Sequence, residues 1–378
     1  MPRKTLLLIT LAALLGACGL RPGPDVLLPV PQPDNTAQRV SIIVATNREP
    51  DPMTPGNFGN GRAEGLSFGR YTISIPPIHR PNNIEYSTKR PVDPTNSFAV
   101  LAFEPLPRGF AELAAAEDNG VDGAEYNGKV FVFVHGYNTN YAEAVFRMAQ
   151  LMADNPVHGG RAILFAWPSD GSLPGYVADK DAVTYSRDQL ARLLTSLSED
   201  PRNREITLAA HSMGCWLAME ALRQLRISGN GAVLDRLDNI LLAAPDIDLD
   251  VFRAQVKAVG RLDPPITVLA SPDDRALSFS FLLGGDRERV GGLDVRDPRI
   301  QELASVHGIQ IIDISSMAAT DSLHHDRYIG AAASLRTMIK PKSAENPFRR
   351  AGAFVMDAMA TVLETPGRLG RAAAEATK

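Results

Sequence analysis

The sequence predicts an α/β protein with a mostly parallel central sheet, helices on both faces and leading antiparallel strands. From Lys129 onward, short all-apolar runs alternate with segments of helical period, which is how strands buried on both faces of a parallel sheet read. Before Lys129, three β-branched or aromatic runs are separated only by loops rich in Gly, Pro and Asn, so these strands are expected to pair antiparallel. The 378 residues, 44% hydrophobic and 22% charged, are enough to bury a large core.

At the N-terminus, Arg3 and Lys4 precede the apolar run TLLLITLAALL, which ends in Leu15-Gly16-Ala17-Cys18. The run is short for a bilayer span and has the charged start and small-residue end of an export signal, so residues 1–18 are read as a signal peptide. Leu-Gly-Ala-Cys resembles the lipobox of bacterial lipoproteins. That resemblance implies cleavage before Cys18, its lipidation, and a place in the cell envelope; Gly19 where inner-membrane retention wants Asp implies the outer membrane, facing the periplasm. Cys18 and Cys215 are the only cysteines, so a lipidated Cys18 leaves no disulfide, and Cys215 reads as a small buried filler. Residues 19–40 are rich in Pro and polar residues without a period and read as an extended tether.

The leading strands are SIIVATNR (41–48), RYTISIPP (70–77) and NSFAVLAFEP (96–105). The core then runs strand 129–136, helix 140–156, strand 161–168, helix 176–200, strand 205–212, a helix from Gly214, and strand 239–246. It continues with helix 251–260, strand 265–274, helix 276–283, strand 308–317 and helix 329–340. Residues 280–304 hold a Gly- and charge-rich stretch close to an acidic pair and are expected to form a loop that gates access. Within 341–378 a polar linker leads to Ala351, Phe354, Val355, Ala358, Met359, Val362 and Leu363, spaced as one stripe of an amphipathic helix.

A net charge of -4 and the lack of Lys/Arg runs interleaved with aromatics exclude electrostatic binding to nucleic acid. The chemistry is carried instead by AHSMG, Ala210 to Gly214, between an apolar strand and a helix. A serine hydroxyl is a poor nucleophile until a base takes its proton, and it must be exposed to meet a carbonyl. A strained strand-to-helix turn provides exposure and requires small residues two positions before and after the serine, here Ala210 and Gly214. Ser212 is therefore the candidate nucleophile. The amide of Met213, at the helix start, and that of Tyr137, in the HGYN loop after the earlier strand, are the candidate oxyanion donors. His135 and Asn138 are expected to shape that loop by hydrogen bonds.

The acid and base should follow in chain order. Asp273 and Asp274 end the strand PITVLASPDD, either able to orient a histidine or to cap the next helix, and Asp246 is a rival read as a cap. Beyond the last strand only His324 and His325 remain. They lie beside Asp326, but no HxxH or HxH partner cluster occurs elsewhere, so no metal is expected. Trp167, Ser169 and Tyr176 are expected to shape a substrate pocket.

Taken in order, ATNR, HGYN, FAWPSDG with Tyr176 and Asp179 behind it, AHSMG, APDID, ASPDDRAL and HHDRY resemble the α/β-hydrolase superfamily, and more narrowly the bacterial family DUF900, α/β hydrolases of unknown function. The similarity starts near Ser41 and covers a hydrolase domain over 41–340, with its catalytic core at 129–340. The resemblance implies the α/β-hydrolase fold, with Ser212 as nucleophile, Asp274 as acid and His325, three residues before Tyr328, as base. It implies no cofactor. The expected activity is a lipid-anchored serine hydrolase of the carboxylesterase or lipase type, whose partners are an ester-like small molecule or lipid and the membrane through Cys18. Two other readings use the same residues: a peptidase or amidase, and a non-catalytic lipoprotein that binds envelope components.

Overall fold

The computed structural model describes residues 21–31, 38–54, 56–115, 123–283, 287–330 and 355–357. The expected signal peptide, Cys18, most of the C-terminal stripe and the helix beyond Gly330 lie outside the described residues. The strands are β1 (Gln38–Pro50), β2 (Phe58–Ile75), β3 (Ala99–Pro105), β4 (Lys129–Val134), β5 (Arg161–Ala166), β6 (Glu205–His211), β7 (Leu237–Ala243), β8 (Thr267–Ala270), β9 (Gln310–Asp313) and β10 (Val355–Asp357). The helices are α1 (Phe110–Ala115), α2 (Tyr141–Asp154), α3 (Tyr176–Glu199), α4 (Met213–Ile227), α5 (Ala232–Asp235), α6 (Leu249–Val259), α7 (Arg275–Leu283) and α8 (Pro298–His307).

All ten strands join one sheet in the order β10-β9-β8-β7-β6-β4-β5-β1-β2-β3. Strands β4 to β9 pair parallel, and β2 is antiparallel to both β1 and β3. The leading strands pair antiparallel as expected, and on its other edge β1 runs parallel to β5, with Ile43 opposite Ile163, which joins the meander to the parallel sheet. The expected strand at 70–77 is the end of an 18-residue strand. Its first part was hidden because Gly59, Gly61, Gly65 and Gly69 give it the composition of a loop.

Alternation along the strands divides the core between two faces. Val132, Val134, Ile163 and Phe165 pack with residues of α3, α4 and α6, whereas Phe133, Leu164 and Ala166 pack with Phe146, Met148 and other residues of α2. Each such fully buried large side chain contributes about 1.5–3 kcal/mol relative to exposure. A capping box, in which the Asn140 side chain accepts from the Glu143 amide and the Glu143 side chain from the Asn140 amide, starts α2 directly after the HGYN loop. The sheet reverses its winding about β4, flanked by β5 and β6, and the crevice at the carboxyl ends of these strands is where such sheets place their chemistry.

Three expectations are corrected. Residues 21–31 are docked on the domain, unlike a free tether: Pro24–Leu27 form a 3₁₀ turn, Val26 and Leu27 are buried, and the Val30 amide donates to the Val100 carbonyl at 2.9 Å. Prolines already restrict this chain, so burying two large apolar side chains outweighs the small entropy that remains to be lost. The stretch 280–304 is not a loose gate among its described residues, because Val290, Leu293, Val295 and Ile300 are buried and Gly291 exchanges backbone hydrogen bonds with Pro245 and Ser271. Finally, Val355–Asp357 is extended where a helix was expected, pairing parallel with β9 from Val355 opposite Ile311 to Asp357 opposite Asp313. An open sheet edge offers unpaired amides and carbonyls, and this outweighs the local helical period.

Candidate functional site

Ser212 sits between β6 and α4 with φ 53° and ψ -124°, a backbone conformation that non-glycine residues avoid. The turn is held by the Ser212 amide donating to the Ala243 carbonyl at 2.9 Å, and by the Ser212 carbonyl accepting from Cys215 and Asp246 at 3.0 and 3.2 Å. Close packing explains its glycine. A Cβ on Gly214 would lie 2.3 Å from the His135 carbonyl oxygen and 2.8 Å from that of Val134. Gly136 meets the same corner from the other side, since a Cβ there would lie 2.9 Å from His211 Nδ1 and 3.0 Å from Ser212 Cβ. The HGYN loop therefore lies directly over the serine.

Neither the Tyr137 nor the Met213 amide has an acceptor among the described residues, so both remain available to a ligand. The peptides that follow Tyr137 are all engaged. The Asn138 amide donates to Asp179 Oδ2 at 3.2 Å, the Thr139 amide to Ser169 Oγ at 3.1 Å, and the Thr139 carbonyl accepts from Arg48 Nη2 at 3.0 Å. Asn138 holds φ 54°. From outside, Arg21 donates to the Asn138 carbonyl at 2.7 Å and to its side-chain oxygen at 2.8 Å. Burial raises the Asp179 pKa, a shift opposed by its hydrogen bonds from Ser169, Asp170 and Asn138 and by the Arg48 charge. Burial pulls Arg48 down to about 10, which leaves it a cation at neutral pH.

Two residues expected in the substrate pocket belong to this scaffold instead. Trp167 is fully buried, its ring stacked on His135 with centroids 5.0 Å apart and its Nε1 donating to the His135 carbonyl at 2.7 Å. Ser169 is equally buried and donates to Asp179 Oδ2 at 2.6 Å. Neither can touch a substrate; tight β5-to-α3 packing turns both inward. Burial and the Arg48 charge take the His135 pKa down to about 3, so this ring is neutral. The Tyr176 ring lies 5.3 Å from the Tyr137 ring, with its hydroxyl donating to Asp246 Oδ2 at 3.1 Å.

The acidic pair is divided. Asp274 Oδ2 lies 2.7 Å from His325 Nδ1 while its Oδ1 accepts from the Leu277 amide at 3.0 Å, so one carboxylate both orients a histidine and caps α7. Asp273 faces outward, paired with Arg327 and with His324 Nδ1 at 3.1 Å. Asp246 is neither a cap nor a partner of His325: Asp248 caps α6, and Asp246 accepts from Ser280 at 2.7 Å and faces Arg289 Nε at 3.3 Å. The His325 backbone is tied down by its amide, donating to Asp321 Oδ1 at 2.9 Å, and by its carbonyl, 3.2 Å from His211 Nε2. Burial presses the His325 pKa down, but the hydrogen bond and charge of Asp274, with Asp246 and Asp321 behind, leave it raised above the ordinary 6.5.

Ser212 Oγ has no hydrogen-bond partner among the described residues, and the ring of its neighbour His211 lies 4.6 Å from that of His325, centroid to centroid. No group of three His, Cys, Asp or Glu side chains among the described residues could hold a metal ion. Sequence reasoning gave no role to Arg21, Arg48 or Asp179. Arg48, a charge ending an apolar strand, and Asp179, an acid in the first turn of α3, were the available signals.

No curated protein matches the chain in sequence. Similar solved structures include an esterase from Pyrobaculum calidifontis, 12% identical over 79% of this chain and 86% of that one with TM-score 0.33. Another is esterase B from Lactobacillus rhamnosis, 12% identical over 74% and 76% with TM-score 0.27. A third comes from a study of two fungal esterases of Rhizomucor miehei, 12% identical over 92% and 78% with TM-score 0.29. A family profile described as "Alpha/beta hydrolase of unknown function (DUF900)" matches residues 119–341, more than half of the sequence, and the chain belongs to that family.

Proposed function

We propose that the protein is a serine hydrolase of carboxylic esters, of the esterase or lipase type, held at the envelope membrane by a lipid on Cys18. The observation that carries the reading is the 2.7 Å contact between Asp274 and His325 in a fold that also holds an elbow serine at φ 53°. Asp274 holds Nδ1 of His325, which directs the basic Nε2 toward the crevice. His325 takes the Ser212 proton as Oγ attacks the ester carbonyl, and the amides of Tyr137 and Met213 receive the negative charge that forms on the carbonyl oxygen. His325 then returns the proton to the departing alcohol. Water, deprotonated by the same imidazole, releases the acid and restores Ser212.

Labelling of the soluble Cys18→Ala chain by a fluorophosphonate probe, followed by turnover of short p-nitrophenyl esters, tests this. Labelling lost in both Ser212→Ala and His325→Ala is the expected result. A folded wild-type chain that takes no label would remove the nucleophile and leave the envelope-binding reading. Turnover of anilides at rates comparable to esters would move the assignment to an amidase.

A further inference from the structure

We infer that the crevice over Ser212 is held against the surface of the bilayer that carries the Cys18 anchor, and that its substrates are acyl esters of amphiphiles seated in that surface. This rests on the ester-hydrolase and Cys18-anchor readings above, and adds where the site faces and what reaches it.

The first observation is reach. Only Gly19 and Leu20 separate Cys18 from Arg21. Three Cα-to-Cα steps of about 3.8 Å allow at most roughly 11 Å between the anchor residue and Arg21. Arg21 is docked, donating from Nη2 to the Asn138 carbonyl at 2.7 Å, from Nη1 to Asn138 Oδ1 at 2.8 Å and to the Gly171 carbonyl at 2.5 Å, and from Nε to Glu143 at 2.7 Å. Asn138 directly follows Tyr137 in the loop over the serine. Downstream there is no slack either, because Asn140 Nδ2 donates to the Pro22 carbonyl at 3.1 Å and Val26 and Leu27 are buried. A lipid on Cys18 therefore places its membrane within a short span of the crevice rather than at the end of a long tether.

The second observation is the rim. Large apolar side chains stand exposed on the segments that carry site residues: Leu173 and Val177 next to Tyr176, Phe279 and Leu282 on the helix that Asp274 caps, and Leu323 two residues before His325. Leu173 is tied to the site through its carbonyl, which accepts from the Tyr137 hydroxyl. Val177 is 72% exposed and Leu282 66%, which water does not favour and an acyl-chain boundary does. A bilayer surface covers these groups together, and an ester at its headgroup level then meets Ser212.

The test uses the full chain with acylated Cys18, reconstituted in phosphatidylethanolamine and phosphatidylglycerol vesicles that contain a fluorogenic diacyl phospholipid, with p-nitrophenyl butyrate as the soluble substrate. The readout is the ratio of vesicle to butyrate turnover. Inserting about twelve Gly and Ser residues after Gly19 adds roughly 20 Å of flexible reach and is expected to lower that ratio about tenfold or more. Val177→Ser with Leu282→Ser is expected to lower it about fivefold. Ratios within about twofold of wild type in both, or a chain isolated without acyl groups on Cys18, would overturn the inference. A wild-type chain that turns over butyrate but not the vesicle ester defeats this inference and leaves the hydrolase reading standing. One that turns over neither defeats both.

Discussion

Two Asp–His pairs stand one residue apart in this molecule, and they are not equivalent. In the inner pair, the Asp274 side chain is 0% exposed and its Oδ2 lies 2.7 Å from His325; in the outer pair, Asp273 is 49% exposed and 3.1 Å from His324. The sequence DD followed later by HH offers both pairs to the same chemistry. Burial separates them. A carboxylate removed from water orients an imidazole and raises its basicity, whereas an exposed one is screened and here is neutralised by Arg327. That arginine, through its hydrogen bonds, holds the Asp273 carboxyl far below the usual range. The outer pair is thus a brace for the loop that carries the inner one.

The largest expected effect follows from removing the inner imidazole. His325→Ala should lower kcat for esters by about 10⁴-fold or more, and an equal loss in His324→Ala would reverse the assignment. Asp274→Asn comes next, with a fall in kcat of about 10³–10⁴-fold in a protein that still folds. Its distinguishing readout is pH. Because the His325 pKa is raised, the imidazole is protonated and inactive at low pH, so kcat/KM should climb with pH through a midpoint above 6.5. Asp274→Asn removes the hydrogen bond and charge that raise it and should move that midpoint down; an unmoved limb would assign the titration to another group.

Changes to the outer pair should be smaller. Asp273→Asn frees Arg327, which is nearly buried, and loosens the His325 loop, with an expected loss in kcat below about tenfold and no shift of the pH limb. His324→Ala should be the mildest, within about threefold in kcat at saturating ester. A steeper loss in either would mean that the brace acts on the chemistry directly.

What could be read from the sequence follows the range of the interactions. The corner at Ser212 was legible because the small residues Ala210 and Gly214 are local to it, and Gly214 packs on the carbonyl of His135 in the preceding strand's loop. The preference for Asp274 over Asp273 came from family resemblance, since nothing local separates two adjacent carboxylates. Trp167 and Ser169 drew attention as polar-tipped residues after a core strand, and the direction in which they point depends on α3, which no pattern in that segment reports. Arg21 and Arg48 were not legible, because the loop groups they hold, the Gly171 and Thr139 carbonyls, lie 150 and 91 residues away. The docked stretch 21–31 was missed because its prolines dominate the composition while its two anchoring side chains, Val26 and Leu27, are few.

The backbone of Ser212 carries one more consequence. At φ 53° and ψ -124° a side chain is strained and glycine is not, so the proposed nucleophile sets stability against activity at this position. Ser212→Gly should unfold at a temperature higher by roughly 1–3 °C while losing all ester turnover, a rise measurable by calorimetry. That outcome would mark Ser212 as a residue retained for chemistry and not for architecture.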